Sequence, residues 1–469
     1  MEKNKSEGII DNIYIITEKK GSGGNANVFL VTEKNKSEQY VAKVSKNDED
    51  KKQEEFYNNE VQYLSMLKES HNPYILKYIA HGMGEIIRYN RNKGQPLIKK
   101  YIILEYASKR ELSDFILYTK EGLGERKSKL LFYEIIEGMK DIHSKGICHR
   151  DIKLENILLA EGYIPKIADF GYAIKNSNDL TDYIGTRQYA SPEILANVPY
   201  DGCKADIFSL GVTLMFLTFG KPGFEEGSSE SKLYLKIMKN KINEFWNKVE
   251  PNIILFYEAL SKEFKDLYIH MVDYNQDKRF TIDQVMNHDW FKSIREMEEE
   301  ERKKLQNEIK EEFTNRESKI EDSVKREIDQ YNAESEELNN RGSEDEYKHF
   351  PPGLKPYEAP NDFDTSFSIK FKGSIDPNKF MNFLYELIDK EYNENVYIKA
   401  NKEKLKLKAS FEDEKGHENE NIKGNDVTIK IKFYEYKESF YLKFVKVMGS
   451  KKSFYDKFNS ISDLIQKYI

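Results

Sequence analysis

The chain has 469 residues, of which 39% are hydrophobic and 33% charged, and its formal net charge is −7. This length exceeds what one compact core usually serves, so we expect two or three domains and a long solvated segment. Only two cysteines occur, Cys148 and Cys203. Their separation argues against a disulfide framework or a zinc site and favours a reducing, cytoplasmic compartment. We expect no nucleic-acid partner.

The N-terminal sequence and the most apolar stretch both argue against membrane insertion. "MEKNKSEGII" is polar and charged, and it lacks the apolar core of a signal peptide. "IFSLGVTLMFLTFG" (207–220) is too short to span a bilayer and predicts a buried helix. We therefore expect no transmembrane segment, and the sequence leaves open a peripheral contact with a membrane.

Residues 13 to about 110 predict short β-strands interrupted by one helix. "NVFLV", "YVAKV" and "YIILEYA" have the composition of strands, and "TEKNKSEQ" between the first two is typical of a turn. Apolar residues near helical spacing predict the helix over about 51–68. From about 112 to 292 the pattern is mainly helical, and a loop-rich stretch interrupts it at 144–205.

The composition changes sharply after residue 292. Residues 293–350 contain 11 Lys and Arg against 19 Asp and Glu. Glu299 and Glu300 precede Lys303 and Lys304 by four positions, which favours a helix. We interpret this segment as a solvated connector helix, in preference to a coiled coil or a clamp against the first domain. It carries a thin apolar stripe, formed by Leu305, Ile309, Phe313, Ile320, Val324, Ile328 and Tyr331.

A small α+β domain is predicted at the C-terminus. Strand patterns occur at "FSIKFKG", "LKLKASF", "DVTIKIKFYEY" and "FYLKFVKV", and helix patterns at 376–391 and 453–468. The predicted division is an N-terminal extension at 1–13, a folded domain at 14–292, a charged and partly helical linker at 293–361, and the C-terminal domain at 362–469.

The glycine-rich segment "GSGGNANV" (21–28) is the first candidate for phosphate binding. Glycines let backbone N–H groups approach a phosphate without obstruction by side chains. Many plain turns share this composition, but the next residues predict strand, turn and strand, whereas a dinucleotide-binding turn opens a helix. Lys43 and Glu60 downstream could hold an ammonium group against phosphates, or they could form an ordinary surface pair.

"HRDIKLENILL" (149–159) and "KIADFGYA" carry the strongest chemical signal. Asp151 can accept a hydroxyl proton, Lys153 can neutralise phosphate, and Asn156 and Asp169 can bind a metal ion. "YASPE" and "KADIFSLG" follow at short distances. In this order the segments resemble the eukaryotic protein kinase family, serine/threonine branch, over roughly residues 14–292.

The resemblance implies an α+β, bilobal protein kinase fold with a β-rich small lobe and a helical large lobe. It implies transfer of the γ-phosphate of ATP to protein hydroxyls, with Mg²⁺ as cofactor. Asp151 would be the catalytic base, with Lys153, Lys43 and Glu60 as further catalytic residues. Asn156 and Asp169 would bind magnesium. The implied nucleotide-binding residues are Gly21, Gly23, Val28, Lys43, Leu104, Glu105, Ala107, Glu111, Asn156, Leu158 and Asp169.

Three positions depart from the family pattern. Ala26 stands where a third glycine usually lies, Lys20 replaces the apolar residue above adenine, and Ser191 replaces the alanine of Ala-Pro-Glu. All residues that would touch phosphate or metal are present, so we expect an active enzyme. The competing hypothesis is a membrane-recruited interaction or scaffold protein with a weakly active kinase domain.

The segment "DLTDYIGTRQYASPE" (179–193) bears on regulation. Arg150 precedes the catalytic aspartate, and in such kinases this arginine commonly binds a phosphothreonine of the activation loop. Asp182 lies three residues before Gly185, and the calcium/calmodulin- and calcium-dependent kinases that this domain resembles tend to carry an acid there. We hypothesise that Asp182 makes loop phosphorylation unnecessary. The alternatives are phosphorylation of Thr181, or an exposed acid without a role.

Two acidic residues bear on the choice of protein substrate. Glu111 and Glu155 match positions that, in basophilic kinases, meet basic residues before the phosphoacceptor. Alternatively, Glu155 is simply frequent at its position and Glu111 only binds ribose.

The C-terminal domain resembles the kinase-associated-1 domain, which implies binding of anionic phospholipid, autoinhibition of the kinase domain, or both. Lys446, Lys451, Lys452 and Lys457 could meet lipid phosphates. The alternative is that they form the lysine-rich surface of an ordinary domain.

Overall fold

The computed structural model describes residues 8–22, 25–46, 48, 50–88, 96–117, 119, 121–254, 259–340, 357–358, 368–371, 377–392, 396–400, 406–411, 427–436, 439–448, 457, 461 and 465. The chain divides into two compact units. The larger comprises Met1–Lys20 and Asn25–Glu321, and the smaller comprises Gly21–Gly24 and Asp322–Ile469. The motifs between residues 149 and 193 therefore lie in the larger unit.

A closed barrel of six strands, in the order β1-β2-β3-β4-β6-β5, forms the small lobe. The strands are β1 Gly8–Ile10, β2 Tyr14–Ser22, β3 Ala26–Glu33, β4 Gln39–Ser45, β5 Tyr78–Arg88 and β6 Leu97–Glu105. Side chains alternate across a strand, so β4 buries Tyr40, Ala42 and Val44 in the barrel core and places Lys43 on the other face. The barrel thus sets the direction of Lys43.

Strand β1 lies in the segment that the sequence predicts only as an extension. It pairs antiparallel with both β2 and β5, and Ile10 is fully buried in the barrel core. This three-residue strand therefore closes the barrel.

Helix α1, Lys51–Met66, confirms the helix predicted over about 51–68. Its N-terminus is capped by Asp50, whose side chain accepts a hydrogen bond from the Lys52 N–H. Glu60, Tyr63 and Leu64 are buried. The helix therefore presents Glu60 to the protein interior.

The large lobe is mainly helical, as the sequence predicts. Its helices are α2 Leu112–Leu117, α3 Gly124–Ser144, α4 Pro192–Leu195, α5 Gly202–Phe219, α6 Tyr234–Met238, α7 Ile242–Ile254, α8 Lys262–Met271, α9 Ile282–Asn287 and α10 Lys292–Arg295. Between α3 and α4 lie four short strands, β7 Ile147–Cys148, β8 Ile157–Leu159, β9 Pro165–Ile167 and β10 Ile174–Lys175. β7 pairs with β10 and β8 with β9, and these pairs position the loops at 149–156 and 168–173.

Helix α5 forms the centre of the large lobe. Among the described residues it is the one helix whose length and composition would allow it to cross a membrane, and 89% of that window is buried inside the structure. Gly220 ends the helix in the left-handed conformation, with φ at 70°, and its N–H donates to the Phe216 carbonyl. The prediction of a buried helix at 207–220 is confirmed.

Helix α11, Glu299–Asn340, shows that the interpretation as a solvated connector is wrong for its first half. The apolar residues of that half belong to the core of the large lobe, where the Phe313 ring packs against those of Phe115 on α2 and Tyr163. The side chains of Val324, Ile328 and Tyr331 lie outside the described residues. Exposed fractions are at most 5% for Leu305, Ile309, Phe313 and Ile320.

Polar contacts border this apolar stripe. Lys127 Nζ lies 2.9 Å from Glu312 Oε2, and Arg316 is only 3% exposed. Gln306 Nε2 donates to Glu134 Oε1 over 3.1 Å, and burial raises the pKa of Glu134 to about 7. Up to Glu321, α11 therefore belongs to the larger unit, in agreement with the clamp, one of the two alternatives that the sequence analysis did not prefer.

The smaller unit combines a sheet with helix α12, Pro377–Tyr392. The sheet order is β12-β16-β15-β14-β13, and β11 pairs with β15. The strands are β11 Tyr357–Glu358, β12 Ser368–Phe371, β13 Val396–Ala400, β14 Lys406–Phe411, β15 Val427–Tyr436 and β16 Ser439–Met448. Residues 457, 461 and 465 are helical. Buried apolar side chains include Met381, Leu384, Ile388, Ala409, Ile429, Ile431 and Phe444.

Candidate active site

The glycine-rich segment connects β2 with β3. Gly21 is the penultimate residue of β2, and a side chain there would meet no atom of the described residues within 4 Å. Gly23 lies outside the described residues. Val28 on β3 is the register partner of Lys43 on β4, so the strand pairing brings these two predicted residues together.

Lys43 joins the small lobe to two carboxylates. Its Nζ forms an ion pair with Glu60 Oε1 and lies 3.6 Å from Asp169 Oδ1. Burial lowers the pKa of Lys43, but Asp169 and Glu60 outweigh burial and raise it overall. The ammonium group therefore stays charged, as the predicted binding of phosphates by Lys43 requires.

Asp151 is the centre of a hydrogen-bonded group on the loop after β7. Asn156 Nδ2 donates to Asp151 Oδ2 over 2.8 Å, and Lys153 Nζ lies 2.7 Å from the same oxygen. Thr186 donates to Asp151 Oδ1 over 3.2 Å and accepts from Lys153 Nζ over 2.9 Å. The structure thus brings together residues that are 35 positions apart in the sequence.

Helix α5 fixes the backbone of this loop. Asp206, fully buried on α5, accepts hydrogen bonds from the His149 and Arg150 N–H groups at 2.8 and 2.7 Å. The rings of His149 and Phe170 lie 5.0 Å apart. Arg150 and Asp169 adopt positive φ angles of 63° and 66°, which bulky residues avoid unless surrounding contacts impose them.

Arg150 connects the loop after β7, residues 149–156, to the segment 179–193, which the sequence analysis interprets as an activation loop. Its Nη1 donates to Asp182 Oδ2 over 2.9 Å, and its Nε donates to the Tyr172 carbonyl over 2.9 Å. Nη1 also lies 3.3 Å from the Tyr200 hydroxyl, which donates to the Asp182 carbonyl over 3.3 Å. Sequence analysis missed Tyr200, because its local sequence "VPYDG" signals only a turn.

A buried ion pair supports the segment after the activation loop. Arg279 donates to both carboxylate oxygens of Glu193, at 2.6 and 2.9 Å. Burial raises the pKa of Glu193, but Arg279 outweighs burial and lowers it overall. Ser191, which departs from the family pattern, is fully buried beside this pair.

Five of the predicted nucleotide-binding residues lie where the two lobes meet. Leu104 is 2% exposed near the end of β6, Glu105 ends that strand, and Ala107 follows it. Leu158 on β8 forms an isolated β-bridge with Glu111. These five residues border the segment that links β6 to α2.

Lys20, which stands where the family has an apolar residue, pairs with side chains close to it. Its Nζ lies 2.8 Å from Glu18 and 5.5 Å from the centre of the Tyr106 ring. Tyr106 belongs to the segment between the lobes, so Lys20 bridges β2 and that segment by a cation–π contact.

The oxygen atoms of Asn156 and Asp169 suit the binding of magnesium together with a nucleotide. Asn156 uses its Nδ2 to bind Asp151, which leaves its amide oxygen for a cation, and Asp169 offers a carboxylate. Among the residues that the structure describes, no group of three or more His, Cys, Asp or Glu could hold a metal ion by itself. Mg²⁺ is commonly bound by one or two carboxylates together with substrate phosphates, so this sparse oxygen set suits it.

Comparison with known proteins agrees with this geometry. Residues 14–291 match the protein kinase domain family. The chain is 36% identical over 194 residues to the human "NUAK family SNF1-like kinase 1", covering 41% of this chain and 27% of that protein. It is 33% identical over 199 residues to the human "SNF-related serine/threonine-protein kinase", covering 42% of this chain and 24% of that protein.

The chain spans about a quarter of the length of these two relatives, so the likeness concerns the kinase region. The family match covers more than half of the chain, and it contains Lys43, Glu60, Asp151, Asn156 and Asp169. The chain belongs to the protein kinase domain family.

Proposed function

We propose that the chain is a serine/threonine protein kinase that transfers the γ-phosphate of ATP to protein hydroxyl groups. The observation that carries this proposal is the hydrogen-bonded group of Asp151, Lys153, Asn156 and Thr186. In this group the Asp151 carboxylate contacts the Lys153 ammonium group, the Asn156 amide and the Thr186 hydroxyl, which supports the roles of base, cation and magnesium ligand proposed for the first three. Both human relatives are named as kinases, one of them as a serine/threonine-protein kinase, which supports the proposal.

Asp151 acts on the incoming hydroxyl group. Hydrogen bonds from Asn156 and Thr186 fix the orientation of its carboxylate, which accepts the hydroxyl proton as the phosphoryl group is transferred. Lys153 balances the charge on the transferred group, and Lys43 orients the phosphates that stay behind. Magnesium, when bound by Asn156 and Asp169, neutralises charge on the phosphate oxygens.

Asp182 supplies the counter-charge of Arg150 in this proposal. Arg150 is 5% exposed at its side chain and Asp182 is 51% exposed, so the pair joins a buried cation to an acid at the surface. Tyr200 and the Tyr172 carbonyl complete the hydrogen bonds of the guanidinium group. With these partners in place, the loop needs no phosphate to be ordered.

The full chain, treated with phosphatase, is expected to phosphorylate a serine peptide that carries an arginine before the serine. Asp182→Ala should lower kcat/KM by about tenfold, because it removes one charge-assisted contact from the loop that positions the substrate. The measurement is initial-rate kinetics with both reactants varied.

Asp179→Ala is the matched control, since Asp179 is an exposed acid in the same loop, and it should leave kcat/KM unchanged. Full activity of the Asp182→Ala chain would exclude the proposed role. A wild-type chain that stays inactive until Thr181 is phosphorylated would favour the rival phosphosite.

A preference for basic substrates is part of the proposal. Glu111 directly precedes α2 and forms a β-bridge with Leu158 of β8, and Glu155 lies two residues after Lys153. These are the two acids that the sequence analysis matches to positions that meet basic residues of a substrate. Replacing the peptide arginine by alanine in the same assay should reduce kcat/KM. Equal rates for both peptides would exclude this preference.

We further propose that the C-terminal region binds anionic phospholipid and brings a cytoplasmic protein to membranes. Support comes from the resemblance to the kinase-associated-1 domain and from the lysines between 446 and 457. Lys446 lies on β16, Lys451 and Lys452 lie outside the described residues, and Lys457 lies 4.3 Å from the centre of the Tyr392 ring. In this proposal Lys446, Lys451 and Lys452 bind the phosphate groups of the lipid.

Replacing Lys446, Lys451 and Lys452 by glutamate should weaken binding to phosphatidylserine vesicles at least about tenfold, since each lysine near an acidic surface contributes about 1 kcal/mol. Lys457 is left in place because it packs on Tyr392. The control variant carries glutamate at three exposed lysines of the larger unit, Lys232, Lys239 and Lys262. Sedimentation with vesicles measures binding, and equal binding by both variants would exclude the lysine site.

A further inference from the structure

We propose that Cys148 and Cys203 form a dithiol site that hydrogen peroxide oxidises to a disulfide beside the catalytic loop. Their sulfur atoms lie 3.1 Å apart, and both are free thiols. They are the only cysteines of the chain. They are separated by 55 positions in sequence, so the fold itself creates the pair. The proposal does not depend on the proposed kinase activity.

The two thiols differ in access. Cys148 ends β7, directly before His149, and is fully buried; its Sγ also lies 3.0 Å from Asn176 Oδ1. Cys203 is the second residue of α5, after the capping residue Asp201 and Gly202, and it is partly exposed. Peroxide therefore meets Cys203 first, and Cys148 is the second thiol that completes the reaction.

The surroundings of Cys203 favour the reactive thiolate. Burial lowers the pKa of His143, but Asp206 and Cys203 outweigh burial and raise it to about 10, so an imidazolium lies beside the thiol. The hydrogen bond with Cys148 and the neighbouring His143 lower the pKa of Cys203 to about 7. Its position in the first turn of a helix is of the kind that stabilises thiolates. The same hydrogen bond and burial raise the pKa of Cys148, which keeps it protonated.

The reaction has two balanced steps. The Cys203 thiolate attacks one oxygen of hydrogen peroxide, so that an S–O bond forms, the O–O bond breaks and the leaving hydroxide takes a proton to become water. The Cys148 sulfur then attacks the sulfenic acid, so that the S–S bond forms, the S–O bond breaks and a second water leaves with the Cys148 proton. Two thiols lose two electrons, which reduce the peroxide to water.

The geometry allows this bond with a small displacement. A disulfide needs sulfur atoms about 2.05 Å apart, so the pair must close by about 1 Å. The start of α5 packs directly on Cys148, since a Cβ placed on Gly202 would lie 2.8 Å from the Cys148 Sγ and 2.9 Å from its Cβ. The bond would join the residue before His149 to the helix whose Asp206 binds the His149 and Arg150 amides.

The reduced full-length chain, treated with hydrogen peroxide and then with a maleimide, should lose both free thiols. Peptide mapping should identify a Cys148–Cys203 bond within one chain, and dithiothreitol should restore both thiols. The proposal would be overturned if the peroxide-treated chain, unfolded in the presence of maleimide, still reacted at both thiols. It would also be overturned if disulfide bonds formed only between different chains.

Single variants test the two roles. Cys203→Ser should slow peroxide oxidation of the remaining thiol at least about tenfold, because a buried, protonated Cys148 contains little thiolate. Cys148→Ser should instead leave a sulfenic acid at Cys203 that dimedone traps. Oxidation of the Cys203→Ser chain at the wild-type rate would overturn the assignment. Thermal melting checks that each variant folds, and the wild-type peptide map decides the question if one does not.

Discussion

Asp151→Asn should lower the rate of phosphoryl transfer by about 10²- to 10⁴-fold, the usual contribution of a positioned general base. The asparagine keeps the size of the side chain, and its single amide oxygen can still accept the hydrogen bond from Asn156, whereas an NH2 group replaces the oxygen that accepts from Thr186. It cannot accept the hydroxyl proton, and it no longer offers a negative charge to Lys153, whose Nζ lies 2.7 Å from Asp151 Oδ2. The loss should therefore appear in kcat.

ATP binding should change little in this variant, because Lys43 and Glu60 lie in the small lobe and on α1. Calorimetric titration with Mg-ATP measures that binding separately from turnover. Asp277→Asn, at an exposed position outside the site, is the control and should retain wild-type kcat. If the wild-type chain transferred no phosphate to any serine peptide, the result would favour the competing hypothesis of an interaction protein with a weakly active kinase domain.

The sequence predicted that Asp151, Lys153 and Asn156 lie together, because they are close in the chain; their catalytic roles stay a prediction. Asp151, Lys153 and Asn156 lie within six residues of one loop, and the loop can place them only near each other. The pairing of Lys43 with Glu60 was a hypothesis with an ordinary alternative, and the ion pair confirms the contact. Arg150 and Asp182 likewise meet, as the hypothesis on the activation loop required, while its regulatory consequence stays a prediction.

The contacts that sequence analysis missed all join distant segments. Strand β1 has only three residues and shows too little alternation to be recognised. The apolar stripe on α11 is visible in the sequence, but an amphipathic pattern does not identify the surface that covers it. The high charge of the segment favoured the solvated connector, which the burial of the stripe contradicts. Cys148 and Cys203 are far apart in the sequence, and only the packing of β7 against α5 brings their sulfur atoms together.

Arg316 should be the most sensitive residue of the α11 contact. Its guanidinium group donates to three backbone carbonyls, that of Phe115 in α2 and those of Glu121 and Gly122 in the loop after α2, at 3.0, 2.6 and 2.7 Å. Its Nε also lies 2.8 Å from Glu312 Oε1. Because Arg316 is only 3% exposed, removing its side chain would leave these carbonyls without their donor and a cavity beside α2.

Arg316→Ala should therefore lower the free energy of unfolding of the larger unit by about 3–5 kcal/mol, the usual effect of breaking a buried ionic contact. Lys303→Ala on the same helix is the control. The Lys303 side chain is 66% exposed, and its pair with Glu299 should contribute less than about 0.5 kcal/mol. Urea unfolding followed by tryptophan fluorescence measures both, because Trp246 and Trp290 are buried in the large lobe. Equal midpoints for the two variants would mean that α11 lies on the lobe without stabilising it. A midpoint lowered only by Arg316→Ala would make the helix an integral part of the kinase fold.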